Sequence, residues 1–511
     1  MGAKTAKPAN PSSADKRTAT EPVWAKPEHP SVSEVIENLG LGPAQLRTCL
    51  TGGAVWIADG AELLLISSVT MSVATEWGLS GFERGLIVSL VFVGVFFGNL
   101  LSGPLGDTYG RRLPILVSLM MVFVFSFLSA SAWGFVSLAI LRFFVGISFG
   151  IGQPAYQTLV SETTPSHGRI VMTGIGNCMM PVGEMYSALL ILCNDPQMIH
   201  LDWRWLLRMG AIPSAVFGLL AFMFMKESSL FLACCGRHDE TRIVLESMRS
   251  DNSRPDCAVQ FKPHRALAGD VSAQEVIERQ LGIVFGRRFL LTTVIVIYST
   301  FVLNFTYFGC LYAFPQILSE SLGGSPAMNL FIGAIWEMFG YIFGIFCSIR
   351  LARKPVMRLY LGLIIISLAC FTYASSVAQR RWPTQLLLYV GYYGIKFFPG
   401  VGFNVIYTYA SEVYPTVART SGTAIALAGG RVASTVAPMV YEGVVSLAEG
   451  RYTVYFLLIL CMCLVNLLLV QALPYETAGA LLEDGDELEE PAETLVASGS
   501  ASSSYGGTAA A

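Results

Sequence analysis

Gly103-Pro-Leu-Gly-Asp107-Thr-Tyr-Gly110-Arg111-Arg112 interrupts a long apolar stretch. Apolar sequence runs into it from residue 84 and resumes at residue 113. Glycines and charges crowd the ten residues, and Pro104 opposes a straight helix. A lipid core satisfies neither an open backbone nor a charge, at several kcal/mol for each group. The stretch therefore predicts a short loop between two membrane helices.

Composition agrees. The chain has 511 residues, 53% hydrophobic and 14% charged, against roughly 25% charged in soluble domains. The net charge of -3 gives no reason to expect nucleic acid. The eleven cysteines are scattered without metal-ligand spacing and read as small buried residues. A spanning helix needs ~20 apolar residues. Twelve segments qualify: 49–72, 84–103, 113–132, 134–154, 170–193, 205–225, 289–312, 328–349, 356–376, 385–407, 420–446 and 452–473.

Those segments define an all-α membrane protein with twelve transmembrane helices in two six-helix halves, 33–225 and 289–473. Residues 1–32 read as a disordered cytosolic tail, followed by an interfacial helix over Ser33 to Leu46. Residues 226–288, with ten Lys and Arg, read as a solvated cytosolic linker. Residues 474–511 turn acidic and then rich in Ser, Gly and Ala, as a disordered tail does. Basic residues favour both termini in the cytosol, although the tail and linker supply most of that bias. The membrane itself is left as plasma or intracellular vesicle membrane.

An internal repeat sharpens the picture. Glu162, Pro165 and Arg169 follow span four; Glu412, Pro415 and Arg419 follow span ten, each 250 residues on (412 − 162 = 250). Glu227 after span six answers Glu476 after span twelve (476 − 227 = 249). Duplicated halves around a midplane site are how alternating-access carriers are built.

Gly103, Asp107, Gly110, Arg111 and Arg112 resemble the loop signature of the major facilitator superfamily, and Arg142 with Gly146 resembles its fourth-span pattern. Glu162/Pro165/Arg169, Trp203-Arg204-Trp205, Glu227-Ser228 and the stretch Pro474 to Gly479 resemble the sugar-porter and organic-ion branch. Ala58-Asp59-Gly-Ala-Glu62, with Arg431, is most similar to synaptic vesicle two-related and niacin-type transporters. The resemblance covers about 32–480 and implies the major facilitator fold. It also implies that Asp107 meets the N-terminal end of span eleven when the inside is shut. Arg111 and Arg112 then join a charge cluster with Glu162, Arg169 and Glu227. The second half departs from the pattern: around Arg353 it has Ile349 and Ala352 where an acid and a glycine are usual. It keeps Glu412, Arg419 and Glu476, so the lock is expected to lean on the first-half loop.

Charge inside a span costs roughly 2.5–3.5 kcal/mol on insertion scales. It should face a wet cavity or a partner. The candidates are Asp59, Glu62, Arg142, Glu184, Glu337, Lys396 and Arg431. Asp59 and Glu62 are three apart and share a helix face. They read as a coupling acid pair, as recognition of a cation, or as fixed partners of Arg142 or Arg431. Arg142 is placed twelve residues before the cytosolic end of span four (154 − 142 = 12), to move protons or to pack helices. Glu184, after Pro181 and Gly183, is expected where broken backbone opens onto the cavity. Glu337, beside Trp336 and Tyr341, suits an amine through cation–π contact. Lys396, near Tyr392 and Tyr393, would instead hold an organic carboxylate.

The expected function is secondary transport of a small organic anion or cation by a monomer in the bilayer. It needs no cofactor and takes its energy from a proton gradient. The rivals are a transporter-like sensor or vesicle protein with little flux, and a sugar porter. No phosphate-binding Gly-rich loop, Gly-x-Ser-x-Gly or HExxH is present, so ATP-driven transport and hydrolysis lack their motifs.

Overall fold

In the computed structural model, twelve helices among the described residues are long and apolar enough to cross a membrane. They run Pro43–Trp77, Gly81–Tyr109, Arg112–Ser129, Phe135–Thr163, Ser166–Asn194 and Trp203–Phe224 in the first half. The second half has Leu290–Leu318, Pro326–Arg350, Arg353–Ser376, Trp382–Glu412, Ser421–Leu447 and Thr453–Gln471. The structure describes residues 30–262, 273–322, 324–377, 381–415 and 418–477, without the side chains of 273–277, 319–321 and 419–420. The expected tails before residue 30 and after residue 477, and part of the linker, lie outside that set. No strand occurs among the described residues.

Several helices outrun their apolar segments, because an apolar count measures only what lipid covers. The opening stretch is the clearest correction. Span two continues through Pro104 to Tyr109, and the break shrinks to Gly110 and Arg111. Pro104 removes the hydrogen bond to the Leu100 carbonyl near the end of the helix, where Leu100 itself is exposed. The turn falls at Gly110, whose φ of +92° favours glycine. A Cβ there would also lie 2.3 Å from Glu227 Oε2.

Both halves use one packing device. Gly94 and Gly98 of span two face Gly146 and Gly150 of span four, four residues apart on each helix. A Cβ on Gly146 would come 1.9 Å from the Val91 carbonyl oxygen, and one on Gly94 2.2 Å from that of Phe143. Span eight repeats this against span ten: a Cβ on Gly340 would meet the Phe397 carbonyl at 2.0 Å. Between helices in lipid, attraction comes from close backbone approach, since burial against lipid tails supplies little.

Each half also closes its loop ends around an arginine. The Arg111 N–H donates to Glu227 Oε1 at 2.8 Å, and its guanidinium to Glu162 at 3.0 Å and to the Gly106 carbonyl at 2.6 Å. In the second half the Arg353 N–H donates to Glu476 at 2.8 Å, and its guanidinium to Glu412 at 3.0 Å and to the Ser348 carbonyl. Arg112 caps the Phe222 carbonyl at 2.6 Å, as Lys354 caps Leu473 at 2.5 Å. The repeat is thus one cradle built twice. Arg169 donates to its neighbouring Thr164 carbonyl at 3.2 Å; the Arg419 side chain lies outside the described set.

The segment expected as one interfacial helix over Ser33 to Leu46 is divided between helices Val32–Leu39 and Pro43–Gly52. Helix Val32–Leu39, started by a Ser31/Glu34 capping box, buries its apolar face against linker residues Ala233, Leu245, Met248 and Val259. Its Glu37 accepts from the Ser166 N–H at 2.7 Å. Burial pushes the Glu37 carboxyl up, but that hydrogen bond and the charges of Arg169 and His167 outweigh it, so it sits below its usual value.

The seam is tested by adding one methyl group. Gly146→Ala is expected to lower unfolding stability by about 1–3 kcal/mol through overpacking. Gly103→Ala meets nothing within 4 Å and should leave stability unchanged or raised. Thermal unfolding in detergent compares them, and equal effects would remove the seam.

Candidate functional site

Between the halves lies a cleft of about 770 Å³, counted to its open mouth. Its lining alternates amides and aromatics: Asn99, Gln153, Gln157, Asn177 and Asn304 with Trp56, Phe308, Tyr341, Phe403 and Tyr407. Among the described lining residues, Arg431 is the one charged side chain. Its Nη2 donates to Gln153 Oε1 at 2.8 Å. Helix geometry brings them together in pairs: Gln153/Gln157, Asn304/Phe308, Phe403/Tyr407 and Leu427/Arg431 are each four apart on one face.

Lining residues Asn99, Gln157, Asn177, Tyr407 and Leu427 lie on the parts of their helices nearer the Arg111 and Arg353 cradles, so the cleft is set toward that end of the bundle. There Asp107 is 79% exposed and its contact is with Arg111 of its own helix end, at 3.5 Å. Gly103 and Gly106 have no neighbour within 4 Å of a Cβ position. At the opposite end the halves are tied. Arg84 of span two donates to Glu442 of span eleven at 2.7 Å, and Tyr312 donates to the same carboxylate at 2.5 Å. The Ser325 hydroxyl donates to the Pro196 carbonyl at 2.7 Å.

Behind the lining sit the buried charges. Asp59 and Glu62 share a helix face yet have different partners. Gln153 Nε2 donates to Asp59 at 2.9 Å, so one amide joins Asp59 to Arg431. Deeper, Arg142 donates to Glu62 at 2.7 Å and to Ser129 at 3.1 Å. Glu62 Oε1 and Arg142 Nη2 have no protein partner among the described residues.

A second buried cluster joins the halves. Lys396 Nζ is 2.8 Å from Glu184 of span five and 2.8 Å from Glu337 of span eight. The Tyr307 hydroxyl is 2.8 Å from the other oxygen of Glu184 and 2.6 Å from that of Glu337. Tyr307 packs edge-on against cleft-lining Phe403 at 5.2 Å. The cluster therefore lies directly behind the lining.

Several expectations change here. Arg142 is near the start of Phe135–Thr163, at the tied end, because that helix continues well past residue 154. Glu184 lies in unbroken helix. The break is at Cys178, Pro181 falls in the first turn where its missing N–H costs nothing, and Gly183 lets the Ile57 carbonyl approach. Lys396 faces two carboxylates and is not presented to the cleft. Of the expected cavity aromatics, Tyr341 lines the cleft. Trp336 is 45% exposed on the outer surface, against Phe339, Tyr393 and Phe397. Tyr392 is buried and donates to the Asn329 carbonyl at 3.0 Å. The sequence reading missed the amides, since Asn and Gln carry no charge to mark them; the four-residue spacing of Gln153 and Gln157 was the available signal for that pair, and Asn99 and Asn177 had none.

Comparison with known proteins gives one family. The profile described as sugar (and other) transporter matches residues 52–488. Organic cation/carnitine transporter 7 of Arabidopsis thaliana is 27% identical, covering 89% of this chain and 96% of its own. The niacin transporter NiaP of Acinetobacter baylyi is also 27% identical, covering 88% and 98%. Synaptic vesicle 2-related protein of Rattus norvegicus is 25% identical, covering 90% and 83%. Among solved structures, the inward open xylose transporter XylE from E. coli superposes with a TM-score of 0.68 at 17% identity, covering 87% of this chain and 99% of its own.

The Glu62–Arg142 pair is tested by breaking it from one side. Glu62→Ala leaves Arg142 buried without its carboxylate and should cost about 3–5 kcal/mol. Adding Arg142→Leu should return part of that loss. Unfolding in detergent reads both, and a double variant as unstable as the sum of the singles would deny the coupling.

Proposed function

The chain belongs to the sugar (and other) transporter family, within the major facilitator superfamily, and on that premise we propose a proton-coupled carrier of a small organic ion. The carrying observation is the cleft, open at one end and tied at the other, lined by amides and aromatics with Arg431 as its charge. Five amide side chains and a guanidinium hydrogen-bond a carboxylate and its neighbours. Five aromatic rings stack on a flat, apolar body. A substrate with an aromatic or heteroaromatic body and one carboxylate fits this lining, and the similarity to a niacin transporter agrees.

The second reading is a cationic or zwitterionic substrate. The aromatic faces favour it, as does Asp59, one amide behind the lining. A relative named for organic cations and carnitine supports it. A sugar ranks lower, because a charged arginine is poor use of a site for a neutral ligand.

Coupling is assigned to span one. Asp59 reaches the cleft through Gln153, so protonating it weakens the amide's hold and frees Arg431 for substrate. Glu62 and Arg142 are half-satisfied and stay sensitive to the same charge. The open end is taken as cytosolic and both termini as cytosolic, from the basic residues of tail and linker. In this state Asp107 is exposed beside Arg111; the inward-shut state would bring it to the start of span eleven.

Purified protein in proteoliposomes should accumulate a pyridine carboxylate when the opposite side is acidified, and tetraalkylammonium far less. Accumulation that ignores the pH gradient refutes coupling, and preference for the cation selects the second reading. Asp59→Asn should abolish concentration while keeping exchange.

Asp107 lacks a second-half counterpart, since Ile349 stands there. Asp107→Ala should therefore shift the carrier further toward the state seen here, raising labelling of a cysteine at Gln157. Unchanged labelling would place the lock elsewhere.

A further inference from the structure

The Tyr307 hydroxyl has one hydrogen and two carboxylate neighbours. It stands 2.8 Å from Glu184 Oε1 and 2.6 Å from Glu337 Oε1, both hydrogen-bond distances. A tyrosine can donate once, and it can accept. With both carboxyls ionised, one of these short contacts would be oxygen against oxygen with no hydrogen between them. The contacts are both satisfied when one carboxyl is protonated and donates to Tyr307 Oη, while Tyr307 donates to the other carboxylate.

Charge counting gives the same answer independently. Lys396 contributes one positive charge, and its three hydrogens serve both remaining oxygens at 2.8 Å. Glu184 and Glu337 are 0% exposed and Lys396 5%. Two carboxylates and one ammonium leave a net charge of −1 in a site lipid and packing close off, which is costly. One added proton makes the cluster neutral. The other titratable groups facing it are Asp59 from span one, Cys310 from span seven, Tyr341 from span eight and Tyr392 from span ten. None of these adds a second cation.

We propose that Glu184 and Glu337 share one resident proton, held by Tyr307 and balanced by Lys396, and that this proton seals the two halves behind the cleft. Glu184 belongs to the first half, the other three to the second. Any rocking that separates span five from spans seven and ten must break two hydrogen bonds at once, from Tyr307 and from Lys396 to Glu184. Losing the proton leaves two ionised carboxylates across that seam, and their repulsion parts the halves at the tied end. The site is distinct from the Asp59 and Glu62 pair. It stands on its own geometry, whether or not substrate movement is proton-coupled.

The test uses the full chain in lipid nanodiscs. Infrared spectra at neutral pH should show a protonated-carboxyl band that survives Asp59→Asn and disappears in Glu184→Gln and in Glu337→Gln alike. Each single glutamine supplies its own N–H to Tyr307 and leaves one carboxylate for Lys396, so both variants should fold with near-native melting temperatures. The double variant Glu184→Gln/Glu337→Gln strands Lys396 and should increase labelling of a cysteine at Ser325, at the tied mouth. A band that persists in both single variants, or that vanishes with Asp59→Asn alone, overturns the shared proton. Unchanged Ser325 labelling in the folded double variant overturns the seal. Absence of uptake in proteoliposomes bears on the carrier reading and leaves the band untouched.

Discussion

An ammonium group in the middle of a lipid-embedded bundle must be paired, and Lys396 is paired twice. One of its carboxylates comes from each half, both at 2.8 Å. Lipid offers these groups nothing, so the six-helix halves cannot drift apart without exposing three ionisable side chains at once. The same constraint sets the other crossings. Gln153 reaches Arg431 from half to half, and Arg84 reaches Glu442. These polar ties are stacked along the seam from the tied end to the floor of the cleft. Polar ties of this kind are either made or broken, which is what the proposed alternating access would need of this seam.

Within each half the opposite logic applies. Spans two and four, and eight and ten, meet through glycine seams where a Cβ would collide with a backbone carbonyl. Such contacts have no freedom to slide. The Arg111 and Arg353 cradles fasten the same half again at its loop ends. Tightly packed halves meet each other through polar contacts around the cleft. Arg431 and the amides are held there.

The buried charges separate by depth. Asp59 stays one amide from the cleft, while Glu62 and Arg142 lie toward the tied end. Three residues of helix, about one turn, thus split two adjacent acids between different environments. One answers to the cleft and the other to the interior of the first half. Periodicity shows that two acids share a face; depth and partner choice decide what each can do.

The twelve spans, the two halves and the cradle residues were readable from sequence. They rest on local signals: apolar runs, a repeat at an offset of 250 residues (412 − 162 = 250), and charges that lipid forbids. Boundaries were less readable, because helix Gly81–Tyr109 passes through Pro104 and beyond its apolar run, where no apolar signal marks it. Seven ionisable residues within spans were visible as exceptions to an apolar rule, while Glu442 of span eleven, the partner of Arg84, was not singled out. The partners of those seven were not visible. Lys396 and Glu184 are 212 residues apart in the chain (396 − 184 = 212), and only packing of the halves brings them together. Trp336 and Tyr341, five apart, turn to opposite sides of one helix, one outward and one into the cleft. Sequence settled which groups lipid would not tolerate. Tertiary structure decided which of them neutralise one another and which face the cleft, because pairing depends on distances that chain order does not encode.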